Sequence, residues 1–150
     1  MLNIRTSAAS KPSTCFRELP REARENNIAW IRRALGKKAR SPALLLFGGR
    51  NRCAFRIRVA QSHARNDLTP SHWSHVLLLP EILEKPSHSL VHEVSLERTD
   101  GRFPPDHNAL QEGSLGAYEK AKWYPNVAVI ELEASADEIR STIARFSRQR

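Results

Sequence analysis

Four of the six histidines in this chain fall within the segment from Ser71 to Glu97, among apolar residues. His75 alternates with apolar residues between Trp73 and Leu79, and His92 alternates with leucine and valine in the next apolar run. Because side chains alternate between the two faces of a strand, both imidazoles are predicted to face the core. A buried imidazole needs a hydrogen-bond partner or a chemical role. If the strands pair, we expect the two rings to be neighbours, one acting as base and the other orienting it.

Two other interpretations of these histidines stay open. Each ring is alternatively a structural core histidine that bonds to the backbone or to a nearby Ser or Glu. Metal binding is the second alternative, because His72, His75, His88 and His92 give an HxxH and HxxxH spacing. Residues three apart on a strand project to opposite faces, however, and no cysteine lies near them. We therefore expect neither a metal nor a cofactor.

The two cysteines differ in position. Cys15 lies ahead of the first predicted helix, and Cys53 lies at the start of a predicted strand, a poorer place for a nucleophile. The chain resembles papain-like thiol hydrolases in three features: a cysteine ahead of the first helix, a strand opened by Ser74-His75-Val76, and a polar residue one strand later. The NlpC-like cell-wall peptidases are the nearest comparison, and the resemblance covers about residues 13–97.

The resemblance implies roles for three residues. Cys15 would be the nucleophile, His75 the general base and His92 the residue that orients the base. The implied reaction is acyl transfer on an amide or ester, in an active hydrolase or in a decayed relative that keeps only the fold. The context Thr14-Cys15-Phe16-Arg17 departs from the Asp-Cys-Ser-Gly-like context of that family.

Hydrophobic periodicity predicts the elements that position these residues. Pro20 and the spacing of Ile28, Ile31 and Leu35 predict an amphipathic helix over 20–35, ended by Gly36. Two strands are then expected to form a hairpin, the second running from Phe55 to Val59 with arginines on its outer face. Further along, we expect strands over 73–79, 90–96 and 127–132, one helical turn over 81–84, an irregular region over 99–116, a short helix over 118–122 and a second amphipathic helix over 136–147.

These elements predict an α+β fold with a mainly antiparallel sheet of about five strands and amphipathic helices near both ends. The last helix has a capping box, Ser135 with Glu138 three residues later. Residues 1–17 are expected to be a disordered leader, and 18–150 a single domain, as the length of 150 residues suggests.

Charge divides the chain into two halves. Residues 1–65 carry a net charge of +12 and residues 66–150 a net charge of −4. The alternative function is therefore a non-enzymatic module that binds nucleic acid or an acidic protein partner through its basic half. The basic half is alternatively neutralised by the acidic half of its own fold. The candidate binding residues are Arg32, Arg33, Lys37, Lys38, Arg40, Arg50, Arg52, Arg56 and Arg58.

Location is predicted from what the sequence lacks. No apolar run has the length that spans a bilayer, and the first residues do not resemble a secretory signal. Two cysteines make no disulfide framework, which favours a reducing compartment. We expect a cytoplasmic protein that does not bind a membrane.

Overall fold

The computed structural model describes residues 4–6, 16–36, 41–94 and 110–147. Seven strands, three α-helices and two 3-10 turns occur in these ranges. In chain order they are β1 (Ile4–Thr6), β2 (Phe16–Glu18), α1 (Asn27–Leu35), β3 (Ala43–Gly48), α2 (Arg52–Ser62), β4 (His75–Leu79), a 3-10 turn (Pro86–His88), β5 (Leu90–Glu93), β6 (Gln111–Ser114), a second 3-10 turn (Leu115–Tyr118), β7 (Asn126–Glu131) and α3 (Ala136–Ser147).

All seven strands form one sheet in the order β2-β1-β7-β3-β4-β5-β6. The run from β7 to β6 is a five-stranded antiparallel sheet. Strand β1 adds to β7 in antiparallel orientation, and β2 pairs with β1 in parallel. The prediction of a single α+β domain with a mainly antiparallel sheet is therefore confirmed. Residues 4–6 and 16–17, from the segment expected to be a disordered leader, belong to β1 and β2.

Helix α1 covers one face of the sheet. Its apolar residues Trp30 and Ile31 are fully buried and belong to the same cluster as Leu45 of β3 and Val129 of β7. These two strand residues lie opposite each other in the register, and Leu77 of β4 faces Leu45 on its other side. The core is thus a layer of branched side chains between the central strands and one amphipathic helix.

Strand β5 presents the opposite face to the one that its apolar pattern predicts. Leu90 and Val94 are 44% and 48% exposed, whereas Val91 is fully buried. Pairing with β4 sets this orientation, because Glu93 lies directly opposite the buried Leu77 and therefore projects to the core side. Residues of odd number in β5 thus share a face with Leu77, and His92 projects to the other face.

The predicted strand from Phe55 to Val59 is wrong, because these residues belong to α2. The side chain of Asn51 caps this helix by accepting a hydrogen bond of 2.7 Å from the Ala54 amide. Phe55 is 58% exposed, so the alternation of apolar residues with arginine in this segment does not reflect a buried strand face. The predicted hairpin is accordingly a strand followed by a helix.

Smaller differences concern element ends. Helix α1 begins at Asn27, after an Asn26 cap, rather than near residue 20. Strand β6 lies in the region expected to be irregular, and the 3-10 turn at Leu115–Tyr118 precedes the short helix expected over 118–122. The turn expected over 81–84 is absent from this described segment, and a 3-10 turn follows at Pro86–His88.

The capping box of α3 is confirmed, since the Glu138 amide donates to Ser135 Oγ and Glu138 accepts from the Ser135 amide. No helix within the described ranges is long and apolar enough to cross a membrane.

The orientation of β5 predicts a contrast between two adjacent substitutions. Val91→Ala should lower the free energy of unfolding by about 2 kcal/mol, because it removes buried methyl groups and leaves a cavity. Leu90→Ala should cost less than about 1 kcal/mol, because the leucine is nearly half exposed. Urea denaturation followed by circular dichroism measures both losses. A larger loss for Leu90→Ala would contradict the face assignment.

Candidate functional site

A carboxylate shared by two donors forms the centre of the candidate site. His75 Nε2 hydrogen-bonds Glu93 Oε2, and the Tyr118 hydroxyl donates to the same oxygen at 2.5 Å. The Tyr118 ring also stacks on the imidazole, with centroids 5.6 Å apart and an interplanar angle of 14°. Three side chains from β4, β5 and the second 3-10 turn thereby fix the plane of one histidine ring.

Burial and hydrogen bonding shift the pKa of Glu93 in opposite directions. Removal of the carboxyl group from water raises its pKa, but the hydrogen bonds from His75 and Tyr118 and the positive charge of the imidazolium outweigh that effect. The pKa of Glu93 therefore lies below its usual value, and the carboxylate stays ionised at neutral pH. Because both side chains are largely buried, this charge interacts with the imidazole at short range and with little screening.

Cys53 lies in the first turn of α2, two residues after the Asn51 cap. The connector between β3 and α2 is closely packed, since a Cβ on Gly49 would lie 2.9 Å from that of Ala54. Ser74, the residue before β4, holds this connector by accepting a hydrogen bond of 3.0 Å from the Gly49 amide. The end of β3, the start of α2 and the start of β4 are thus tied together at one end of the sheet.

This arrangement brings the exposed Cys53 and His75 to the walls of one cavity. Cys53 and His75 line the same cavity, whose volume is about 30 Å³. Tyr118 and Tyr124 form its aromatic wall, with ring centroids 5.0 Å apart. The remaining lining residues are Asn51, Ala54, Ile57 and Ser74. A cavity of this size admits a small reacting group and little else.

The structure places two of the three residues that the sequence grouped as catalytic, His75 and His92, on opposite faces of the sheet. Cys15 lies outside the described residues. His92 projects to the opposite face of the sheet from His75, because it pairs with Leu78 while Glu93 pairs with Leu77. The predicted neighbouring pair of histidines is therefore wrong, and Glu93 occupies the place expected for His92. The His92 side chain is 5% exposed, and its Nδ1 has no hydrogen-bond partner among the described residues.

Sequence reasoning missed Cys53, Glu93 and Tyr118. A signal for Cys53 was present, because Asn51 is a favoured capping residue and stands directly before the arginine that opens the helix. Glu93 stood next to the predicted His92, and a shift of one residue in the assumed face would have selected it. No local pattern marks Tyr118, whose position depends on the return of the chain after β6.

The histidines do not gather around a common point. His75 and His92 project from opposite faces, and the described residues contain no group of three His, Cys, Asp or Glu side chains that could hold a metal ion. Those ranges therefore give no support to the zinc alternative.

The strand surface predicted for Arg56 and Arg58 is wrong, because both residues lie in α2. Arg33 bonds Glu25 through two nitrogens at 2.8 and 2.7 Å, and Arg58 Nε donates to the Ser71 carbonyl at 2.7 Å. Lys37, Lys38 and Arg40 lie outside the described residues. The exposed arginines that remain are Arg32, Arg50, Arg52 and Arg56, and the last three border the start of α2.

Comparison with known proteins identifies no relative: no family model matches the chain, and no curated protein or solved structure matches it significantly. The site must therefore be interpreted from its own geometry.

The lowered pKa of Glu93 predicts a pH-dependent contribution to stability. Glu93→Gln should lower the free energy of unfolding at pH 7 by about 2 kcal/mol, the scale of a hydrogen bond to a charged group. A carboxyl group with a lowered folded-state pKa contributes stability above the unfolded value of 4.5, and this contribution is lost as pH falls through the folded value. Urea denaturation at several pH values should show the difference between wild type and variant shrinking below pH 4.5.

Glu112→Gln, at an exposed carboxylate on the neighbouring strand β6, is the matched control. It should change stability little at any pH. A wild-type advantage over Glu93→Gln that stays constant through the acid range would contradict the lowered pKa.

Proposed function

We propose that the chain is a thiol hydrolase that transfers an acyl group from an amide or ester. Cys53 is the nucleophile, His75 the general base and Glu93 the residue that orients and charges the base. The observation that carries the proposal is the hydrogen bond from His75 Nε2 to Glu93, in a ring that shares a small cavity with Cys53. Since Nε2 is occupied, Nδ1 is the nitrogen that remains to accept the thiol proton.

The reaction follows from this arrangement. His75 Nδ1 takes the proton of Cys53, and the sulfur attacks the carbonyl carbon of the substrate. The imidazolium formed in that step is stabilised by the ionised Glu93. The same Nδ1 proton then passes to the leaving amine or alcohol as the carbon–nitrogen or carbon–oxygen bond breaks. Water, deprotonated by His75, hydrolyses the thioester and regenerates the thiol.

The first turn of α2 supports the charged states of this reaction. The first amides of a helix lack partners within the helix and carry the positive end of its dipole. In α2, with 11 residues, Cys53 lies in this first turn, where the Asn51 side chain already takes the Ala54 amide and the amides of Arg52 and Cys53 come before it. They are suited to stabilise a thiolate and the oxyanion that develops on the attacked carbonyl.

The proposal retains the resemblance to papain-like thiol hydrolases and changes two of its residues. Cys53 replaces Cys15 as nucleophile, because Cys53 opens a helix beside the base. Glu93 replaces His92, because Glu93 rather than His92 meets the imidazole. The resemblance implies a cysteine at a helix start, then a histidine on the following strand and a polar residue on the next strand. The chain has these features in that order.

Selective alkylation tests the role of the histidine. At pH 6.5, iodoacetamide should modify Cys53 at least about tenfold faster than Cys15 of the same chain, because a thiol assisted by a base reacts at lower pH than an unassisted one. His75→Ala should remove this difference, and tandem mass spectrometry locates and counts the adducts. Val76→Ala, at an exposed position adjacent to the histidine, is the control. Equal rates at the two cysteines, unaffected by His75→Ala, would contradict the proposal.

Acyl transfer itself is tested with an activated ester such as p-nitrophenyl acetate. Wild type and Cys15→Ser should release p-nitrophenol in a burst and carry an acetyl group on Cys53, whereas Cys53→Ser should show no burst. Glu93→Gln should slow acylation by roughly a factor of 100, because the imidazolium loses its counter-charge. An acetyl group found on lysine or Cys15 alone would refute Cys53 as the nucleophile.

A further inference from the structure

A second, larger groove adjoins the catalytic cavity on the side of Tyr124. It has a volume of about 540 Å³ and shares both Asn51 and Tyr124 with the small cavity beside Cys53. Trp123 and Lys120 line its outer part, and the Trp123 side chain is 54% exposed. The groove is large enough for the body of a substrate whose reactive carbonyl enters the small cavity.

One cation lines this groove, and two more flank Asn51, which also lines it. Lys120 lines it directly, and Arg52 precedes the nucleophile in the first turn of α2. The Arg50 amide donates to the Trp123 carbonyl at 2.9 Å, which ties the arginine-rich connector to the loop that carries the tryptophan. Arg50, Arg52 and Lys120 are exposed, and within the described ranges none of them takes part in an ion pair.

The carboxylates near the groove are engaged elsewhere. Glu93 is occupied by His75 and Tyr118, and Glu119 accepts a hydrogen bond of 2.8 Å from the side chain of Asn26. Glu131 lies at the far end of β7, opposite Ala43, whereas the site lies where Gly48 meets the other end of that strand. Glu119 keeps its negative charge in that bond, because the amide donor is neutral. The three exposed cations Arg50, Arg52 and Lys120 outnumber it, so the potential near the groove is positive.

We infer that the substrate is an anionic acyl compound, with a carboxylate or phosphate group that Arg52 and Lys120 hold while its body packs on Trp123. This inference rests on the proposed function, since it concerns the group that Cys53 attacks. A planar anionic group accepts paired hydrogen bonds from a guanidinium, and an exposed indole offers a flat apolar surface beside it. An electrostatic contribution of this kind acts on both binding and the rate of encounter.

The test compares two alkylating agents of nearly equal size, iodoacetate and iodoacetamide, which differ in charge. The readout is the ratio of their rates at Cys53, divided by the same ratio for free cysteine in the same buffer. We expect a normalised ratio of roughly 5 to 10 in favour of the anion at low salt. It should fall toward 1 in about 1 M NaCl, because salt screens exposed charges.

Three variants locate the effect. Lys120→Gln and Arg52→Gln should each lower the normalised ratio, and the double variant should bring it close to 1. Lys122→Gln is the matched control, since it removes an exposed lysine two positions away that does not line the groove; it should keep the wild-type ratio. Competition separates the two anion types: inorganic phosphate slows alkylation more than acetate if the site favours phosphate, and less if it favours a carboxylate.

The outcomes separate this inference from the proposal beneath it. Iodoacetamide could alkylate Cys53 quickly and in a His75-dependent way while the normalised ratio stays near 1. That result would overturn the inference of an anionic substrate and would not contradict the proposed thiol hydrolase. Slow alkylation of Cys53 by both reagents would overturn both. A raised ratio that Lys122→Gln abolishes and Lys120→Gln does not would also overturn the assignment of the groove.

Discussion

The candidate site depends on one buried carboxylate oxygen that receives two hydrogen bonds. Glu93 Oε2 is bonded by His75 Nε2 and by the Tyr118 hydroxyl, so neither the ring nor the carboxylate is free to turn. The antiparallel register makes this possible, since Glu93 lies opposite Leu77 and therefore diagonal to His75 on the same face. A shift of one residue would send the carboxylate to the other face and leave an unpaired imidazole at the sheet end.

The position of Cys53, the proposed nucleophile, depends on a different constraint, the sharp passage from β3 into α2. Gly48 and Gly49 occupy positions where a Cβ would overlap the His72 carbonyl or crowd Ala54. The chain can therefore turn close to the start of β4, and the Asn51 cap begins the helix immediately afterwards. The first helical turn and the first residue of β4, His75, are consequently brought to the same end of the sheet, where the Ser74 side chain holds the connector.

The sequence predicted those parts of the fold whose local signals agree with their tertiary surroundings. The apolar runs of β3, β4 and β7 and the capping box at Ser135 are of this kind. Prediction from the sequence failed where two signals conflicted. Around Phe55 and Ile57 the alternation of apolar residues with arginine favoured a strand, but the Asn51 cap and the exposure of Phe55 belong to a helix. In β5 the apolar pattern predicted that Leu90 and His92 face the core. The register places Glu93 on the core side instead, because the pairing of Glu93 with Leu77 outweighs the burial of Leu90.

Of the four residues of the candidate site, only His75 was therefore accessible from the sequence. His75 was identified because an imidazole within an apolar strand is conspicuous whichever element surrounds it. Its partners were not, because the choice between His92 and Glu93 depends on register, and Tyr118 reaches the site from 25 residues beyond Glu93. The misassignment of α2 as a strand also affected Cys53. At the start of a strand this residue is poorly placed for a nucleophile, whereas it lies in the first turn of a helix. A single misassigned element thus misplaced both Cys53 and the arginines that follow it, since all of them lie in α2.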